Sequence, residues 1–160
     1  MRSAAGILLL SGLVLLQGCS PDNSATGNTT PATTTENARV QRTPAPAGAS
    51  VFFITPVDGQ TVQNPVVVKF GISGMSVAPA GDARPASGHH HLLIDTQLTD
   101  AELNQPIAKD AQHLHFGKGQ TETTLELSPG QHTLQLVLGD ASHIPHEPPV
   151  MSTRITINVE

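Results

Sequence analysis

The chain of 160 residues has few aromatic side chains and almost no cysteine. It contains no Trp, no Tyr, four Phe and one Cys. A core must therefore be built mainly from Val, Ile and Leu, and no disulfide can form within the chain because a disulfide needs two thiols. This length is enough for one ordinary domain with additional segments.

Basic residues are also scarce. The sequence has eight Lys and Arg against 13 Asp and Glu, which gives a net charge of −5 at pH 7 with neutral histidines. Nucleic-acid-binding domains usually carry a basic patch, and no stretch of this sequence clusters Lys and Arg. We therefore expect no nucleic-acid partner.

The first 18 residues have the layout of a secretory signal peptide. A charged Arg2 precedes the apolar run 4–16, which is shorter than the ~20 residues that a membrane-spanning helix needs. The run ends in Leu16-Gln17-Gly18-Cys19, which resembles a bacterial lipobox. The resemblance implies cleavage before Cys19 and acylation of that residue, and two or more acyl chains anchor a protein stably in a membrane. The alternative is an ordinary signal peptide followed by a free cysteine.

The residue after the candidate lipidation site bears on localisation. Ser20 stands where lipoproteins retained at the inner membrane often carry Asp, so it slightly favours the outer membrane. We expect a protein of the bacterial cell envelope that is held by its lipid and faces the periplasm. Its expected partners are the membrane and either a metal ion or another envelope protein.

Residues 19–50 are predicted to be a tether. The segment 20–50 is rich in Thr, Pro, Ala, Asn and Ser and has no apolar periodicity. Such a segment buries too little apolar surface to offset the entropy lost on ordering, so we expect it to be disordered. The folded domain is predicted over residues 51–160.

Residues 51–160 consist of short apolar runs separated by turn residues. In the run 66–72, alternate apolar side chains share one face of a predicted strand. Residues 121–127 and 132–138 flank Ser128-Pro129-Gly130-Gln131, a pattern typical of a hairpin. About seven short strands and no long helix predict an all-β fold, an immunoglobulin-like antiparallel β-sandwich without the usual disulfide between its sheets.

Histidine is the unusual residue, because eight occur and all lie between His89 and His146. In a strand, alternate side chains share a face, so His89 pairs with His91 and His113 with His115. Imidazole suits copper and zinc, and the four rings converge if the two strands are neighbours. The sequence therefore predicts a copper or zinc site whose ligands are His89, His91, His113 and His115.

Four further residues extend this hypothesis. His90, on the opposite strand face, and His143 and His146, in a Pro-rich segment, are candidates for additional ligands. Asp95 can orient a ligand histidine from outside the coordination sphere.

Two other interpretations stay open. In one, the histidines only stabilise loops by hydrogen bonding, as we expect for His132 beside the hairpin turn, and the protein is a structural or protein-interaction module. In the other, an open metal site catalyses a reaction. Support for catalysis is thin, since no Cys-x-x-Cys or His-Glu-x-x-His motif occurs and the Ser87, His89 and Asp95 stretch lacks the arrangement of a triad.

Four segments carry a family resemblance, at residues 88–95, 113–122, 129–134 and 143–146. Together they resemble a bacterial exported family catalogued as domain of unknown function 4399, and the similarity covers roughly residues 71–159. The resemblance implies that the His-rich segments are the hallmark of the family, and it supplies no activity. The hairpin is also loosely similar to those of copper-resistance sandwich domains, which implies copper only by analogy of fold.

Overall fold

A computed structural model describes residues 40–160; the predicted signal peptide, Cys19 and the predicted tether up to residue 39 lie outside this part of the chain. A single 3-10 turn, Glu102–Asn104, interrupts the strands in the described residues. Among these residues, no helix has the length and apolar character needed to cross a membrane. The strands in chain order are β1 (Ser50–Thr55), β2 (Thr61–Val62), β3 (Val66–Ser73), β4 (Ser76–Val77), β5 (Ser87–Ile94), β6 (His113–His115), β7 (Glu122–Leu125), β8 (Gly130–Gly139) and β9 (Ile155–Val159).

The strands form two sheets. One has the order β1-β3-β7, and the other has the order β2-β9-β8-β5-β4, with β6 also paired to β5. Apart from the two-residue strands β2 and β4, which pair in parallel, all pairings are antiparallel. Without β2 and β4, the three strands of the first sheet face four strands of the second, β9, β8, β5 and β6. The predicted all-β sandwich with seven main strands is confirmed. The hairpin predicted around Ser128–Gln131 is wrong, because β7 pairs with β3 in one sheet whereas β8 pairs with β5 and β9 in the other, so this turn connects the two sheets. The sequence did not reveal β2 and β4, because two residues are too few to show an alternating pattern.

Alternation along the strands places one apolar face of each sheet in the core. In β3, Val66, Val68 and Phe70 are buried, whereas Val67 and Lys69 are exposed. Burying a Val, Leu, Ile or Phe side chain stabilises a fold by roughly 1.5–3 kcal/mol. The core consists of Val51, Val66, Val68, Phe70, Leu92, Ile94, Phe116, Leu125, Leu134, Leu136, Leu138, Val150, Ile155, Ile157 and Val159.

The central strand β5 is buried on both faces. All eight of its residues are buried. Leu92 and Ile94 point into the main core, whereas Leu93 packs on the outer face of the larger sheet against Ile107 and Val137. The connections around β6 and after β8 therefore cover this outer face. As a result, the β5 side chains that point away from the main core are also removed from water.

The folded domain includes residues that the sequence assigned to the tether. The backbone N–H of Ala45 donates to the carbonyl of Glu147 at 2.8 Å, and that of Glu147 donates to the carbonyl of Thr43 at 2.9 Å. Pro44 and Glu147 form a parallel bridge. Backbone pairing of this kind does not depend on apolar side chains, so the composition of the segment could not reveal it.

Candidate metal centre

Four imidazole rings meet on the outer face of the larger sheet. Five of their six centroid separations lie between 4.8 and 5.1 Å, and the sixth, between His91 and His143, is 6.1 Å. One ring nitrogen from each of His89, His115 and His143 lies within 4.8 Å of the others. We use the name four-histidine cluster for His89, His91, His115 and His143.

The pairing of β5 with β6 brings three of these rings together. It sets His91 opposite His115 and Leu93 opposite His113. Because the two strands are antiparallel, His89 and His113 lie toward opposite ends of this short ladder. The structure therefore joins His89 to the His91–His115 pair and leaves His113 outside the cluster.

His113 interacts with an acid instead. Its Nδ1 lies 2.8 Å from Oδ1 of Asp110, and its backbone N–H donates to the same oxygen at 2.9 Å. The side-chain hydrogen bond from His113 lowers the pKa of Asp110. Three of the four predicted ligands thus lie together, and the fourth ring comes from His143, which the sequence marked only as an additional candidate.

His143 reaches the cluster from the loop after β8, which folds around a carboxylate. Oδ1 of Asp140 accepts hydrogen bonds from the backbone N–H of Ser142 at 2.8 Å and of Ile144 at 3.0 Å. His143 has a φ of 69°, in the left-handed region that His adopts more readily than most residues. The loop conformation around Asp140 therefore determines where the His143 ring lies.

Two glycines leave space for rings of the cluster. A Cβ atom at Gly117 would overlap the ring of His115. A Cβ atom at Gly139 would lie 2.9 Å from Nε2 of His91, closer than real side chains approach. Any larger residue at either position would displace a ring of the cluster.

Burial keeps His89, His91 and His115 of the cluster neutral. Burial, together with the neighbouring rings His143 and His115, lowers the pKa of His89 to about 4. Burial and the surrounding imidazoles lower the pKa of His91 to about 2, and burial also lowers the pKa of His115. These rings therefore present unprotonated nitrogens at neutral pH, which is the form of imidazole that binds metals.

Several buried nitrogens of the cluster lack a hydrogen-bond partner. Within the described part of the chain, Nδ1 of His89, Nδ1 of His91 and Nε2 of His115 make no hydrogen bond. The Nε2 atoms of His89 and His91 lie 3.1 Å apart. An unsatisfied buried polar atom costs about 1–3 kcal/mol, so a cluster of them is an arrangement that a bound cation would relieve.

The cluster has a buried acid beside it and a groove along one side. The charge of Asp140, a residue only 8% exposed, opposes the lowering of the His89 pKa and favours a cation at the cluster. His115 also lines a surface groove of about 480 Å³, together with Lys109 and His113. Since His89 and His91 are fully buried, an ion would enter past the less buried His115 and His143.

His90 and His146 lie away from the cluster. His90 points into the core on the other face of β5, where its ring centroid is 5.0 Å from that of Phe70. Burial lowers the pKa of His90 to about 4, although the backbone at Gln120 and Gly71 offsets part of this effect. Nδ1 of His146 lies 3.3 Å from the carbonyl oxygen of Leu138. Neither ring joins the four that converge.

The family of the chain follows from a comparison with known proteins. Residues 68–160 match the family described as a domain of unknown function (DUF4399). The chain belongs to this family. No curated protein and no solved structure matches it. This match confirms the predicted family membership. The matched region of this DUF4399 chain contains all eight histidines.

In this DUF4399 domain, Asp95 contacts a histidine outside the cluster. Its Oδ2 lies 2.7 Å from Nδ1 of His132, and its Oδ1 accepts from the backbone N–H of Thr133 at 2.8 Å. Asp95 thus holds the start of β8 and does not orient a ring of the cluster. The hydrogen bond that His132 donates to Asp95 raises the pKa of His132.

Asp95, His132 and Ser128 have the residue types of a hydrolytic triad without its working geometry. Nε2 of His132 lies 2.9 Å from the carbonyl oxygen of Ser128 and 3.3 Å from its hydroxyl. A carbonyl only accepts, so this nitrogen is a donor and cannot take the hydroxyl proton. Pro129 follows and has no N–H to stabilise an oxyanion. These contacts give His132 the loop-fastening role that the sequence predicted.

Asp140 is the residue of the site that sequence reasoning missed. Its signal was local, because an Asp directly after a strand and before Ala141-Ser142-His143 is typical of a turn whose side chain binds the backbone that follows. That signal identifies a turn, but it does not show that the turn carries a histidine to the cluster of this DUF4399 domain.

Proposed function

We propose that this DUF4399 domain binds one copper or zinc ion in the four-histidine cluster. The observation that supports this most directly is the convergence of four rings, His89, His91, His115 and His143. The first three each have a buried nitrogen without a hydrogen-bond partner. Neutral imidazole is a ligand that both metals accept. No Cys and no Asp or Glu carboxylate belongs to this group of ligand atoms among residues 40–160, so the donor set is all imidazole.

The spacing of the rings suits a single ion. An ion about 2.0–2.1 Å from a ring nitrogen lies roughly 3.2 Å from the ring centroid, so four rings around a tetrahedral ion have centroids about 5.2 Å apart. Five of the observed separations, at 4.8–5.1 Å, come close to this value. The longer separation of 6.1 Å between His91 and His143 flattens the arrangement, in the direction that Cu(II) prefers.

The contact between His89 and His91 admits two ligand sets. Two nitrogens bound to one ion at angles of roughly 90–110° lie about 2.9–3.4 Å apart, and the Nε2 separation is 3.1 Å. With both as ligands, four imidazoles fill the site. With His91 only hydrogen-bonded to His89, three imidazoles remain and one position is open.

The role we assign is metal binding, as a buffer, chaperone or sensor, and not catalysis. Structural and storage sites are filled by protein ligands, whereas catalytic zinc sites keep a position for water or substrate. Four converging rings match the filled type. A three-ligand set would favour the catalytic alternative.

The proposed location is the bacterial cell envelope. The signal-peptide layout of residues 1–18 and the lipobox-like sequence before Cys19 support a lipid anchor, with the domain facing the periplasm and the outer membrane slightly preferred. Labelled palmitate should enter the wild-type chain in a bacterial host and not Cys19→Ser. Equal labelling of both would contradict the anchor.

A second candidate function is a module that binds another envelope protein. Four apolar side chains near or on the smaller sheet are 46–59% exposed, namely Phe52, Ile54, Val57 and Val67. Exposed apolar clusters often mark interaction sites. In that case the histidines stabilise the fold and bind no ion.

Calorimetric titration of the purified, metal-free full chain with Cu(II), and separately with Zn(II), tests the metal proposal. We expect one-to-one binding at micromolar affinity or tighter, which His115→Ala and His143→Ala abolish. His113→Ala is the matched control, because it removes a histidine from β6 that lies outside the cluster, and it should bind as the wild type does. Absence of binding, or loss with His113→Ala but not His143→Ala, would overturn the proposed site.

A further inference from the structure

The part of the chain that leads into the domain contacts the loop that carries His143. We call residues 42–46 the docking segment and residues 140–147 the His143 loop. We propose that Arg42 and Thr43 are positioning residues for the metal centre, so that docking of this segment and metal binding strengthen each other. This inference rests on the proposed metal-binding function.

Thr43 holds the carboxylate that organises the His143 loop. Its hydroxyl donates to Oδ2 of Asp140 at 2.7 Å, while Oδ1 of the same carboxylate accepts from Ser142 and Ile144. Hydrogen bonds to an ionised acceptor are roughly twice as strong as neutral ones. A single buried carboxylate therefore connects the docking segment to the two residues that flank His143.

Arg42 holds the second half of the same loop. Its Nε donates to the carbonyl of Pro145 at 2.9 Å, and its terminal nitrogens donate to the carbonyl of His146 and the carboxylate of Glu147. The Arg42 side chain is only 9% exposed. The guanidinium thus bonds three consecutive residues, in addition to the backbone hydrogen bonds between this segment and the loop.

His143 is the member of the cluster that depends most on these contacts. His89, His91 and His115 stand on β5 and β6, whose ladder fixes their positions. His143 stands on a loop, whose other backbone contacts near the ring include a hydrogen bond of 2.9 Å from the N–H of Ile107 to the His143 carbonyl. Releasing the docking segment removes the contacts of Thr43 with Asp140 and of Arg42 with residues 145–147, which restrain the loop before and after His143.

Coupling between two binding events is reciprocal. If docking of the segment raises metal affinity by some factor, bound metal raises the docking equilibrium by the same factor. The domain therefore holds the docking segment more firmly when it is loaded than when it is empty. Such coupling makes the position of Arg42 and Thr43 respond to the metal.

The first test compares metal affinity among threonine variants of the full chain. Removing the Thr43 hydroxyl in Thr43→Val should weaken Cu(II) binding by about tenfold, the lower end of the effect seen when a residue that supports metal ligands is changed. Thr43→Ser keeps the hydroxyl and should restore the affinity. Thr124→Val, at an exposed position of β7 in the other sheet, is the matched control and should change nothing.

The Cu(II) electron paramagnetic resonance spectrum supplies a readout that general destabilisation would not change. A displaced His143 alters the hyperfine splitting in Thr43→Val but not in Thr43→Ser or Thr124→Val. Wild-type affinity and spectrum in Thr43→Val would overturn the inference and leave the metal site intact. Failure of the wild type itself to bind Cu(II) or Zn(II) would overturn both.

A protease experiment tests the same coupling in the wild type, independently of whether a variant folds. Trypsin can cut the Arg42–Thr43 bond only after the Arg42 side chain leaves its contacts with the His143 loop. Saturating Cu(II) should slow cleavage at this bond by a factor similar to the affinity ratio between wild type and Thr43→Val. Cleavage at an unchanged rate, in protein shown by calorimetry to be loaded, would contradict the coupling.

Discussion

His91 lies directly opposite His115 in the β5–β6 ladder, and their ring centroids are 5.1 Å apart. A cross-strand pair of this kind is held by backbone hydrogen bonds on both sides, so its rings do not depend on loop conformation. Around this pair, His89 comes from the same strand as His91 and His143 comes from a loop. The four-histidine cluster is therefore rigid on the sheet and adjustable at one ring.

Acid should destabilise the metal-free domain. The pKa of His89 and of His90 is lowered from 6.5 to about 4, and that of His91 to about 2, so below pH 6.5 the unfolded chain binds more protons than the folded one. Stability then falls as the pH drops, by on the order of 2 kcal/mol per buried histidine at pH 5. Three such losses are comparable with the total stability of many domains.

Urea unfolding at pH 7.5, 6 and 5 measures this effect. Zn(II) in excess should oppose the loss at pH 6, because an ion that binds only the folded state stabilises it. A free energy of unfolding that is the same at pH 7.5 and pH 5 would contradict the burial of neutral histidines in β5.

The number of histidine ligands can be determined by substitution of His91. If four imidazoles bind, the wild-type site is filled and azide should not change the visible spectrum of the Co(II)-loaded protein. His91→Ala then opens a position, so its Co(II) spectrum should shift with azide and its affinity should fall. A shift in the wild type would show three ligands with an open position and would favour catalysis.

A methyl group at Gly117 should disturb the centre from outside the ligand set. The added Cβ of Gly117→Ala overlaps the His115 ring, which must move away from its partners. We expect metal affinity to fall by at least about tenfold. Lys118→Ala, an exposed neighbour in the chain, is the control for calorimetry. Unchanged affinity in Gly117→Ala would show that His115 is not a ligand in the position described.

Asp95 should matter for stability and not for metal. Asp95→Asn removes a charged acceptor from His132 and Thr133, so we expect a loss of about 1–2 kcal/mol with unchanged metal affinity. The loss should be larger at pH 6 than at pH 9. Because the pKa of His132 is raised, the stability from this pair is complete below pH 6.5 and disappears as the pH rises through the raised pKa.

Chemical denaturation and calorimetry at both pH values check this prediction. Weaker metal binding by Asp95→Asn would instead support the role that the sequence suggested for Asp95, orientation of a ligand histidine.

Much of the fold was accessible from the sequence because its strands alternate. The period of two in residues 66–72 identified β3, and the turn at Ser128–Gln131 marked the start of β8. The two strands beside this turn were wrongly predicted to pair, because alternation does not show which sheet a strand joins. The same alternation placed His89 with His91, and His113 with His115, on shared strand faces. It could not place His113 in space, since register decides which residues of two strands lie opposite each other.

The sequence by itself determined the all-β class, the family and the histidine pairs, because these depend on local periodicity and on motifs along the chain. Only the tertiary structure decided that His143 completes the cluster, that Asp95 contacts His132, and that residues 42–46 pack on the His143 loop. These outcomes depend on antiparallel register and on hydrogen bonds between residues about 37 to 105 positions apart. No local pattern encodes such pairings, because they form only when the two sheets and their connecting loops have packed.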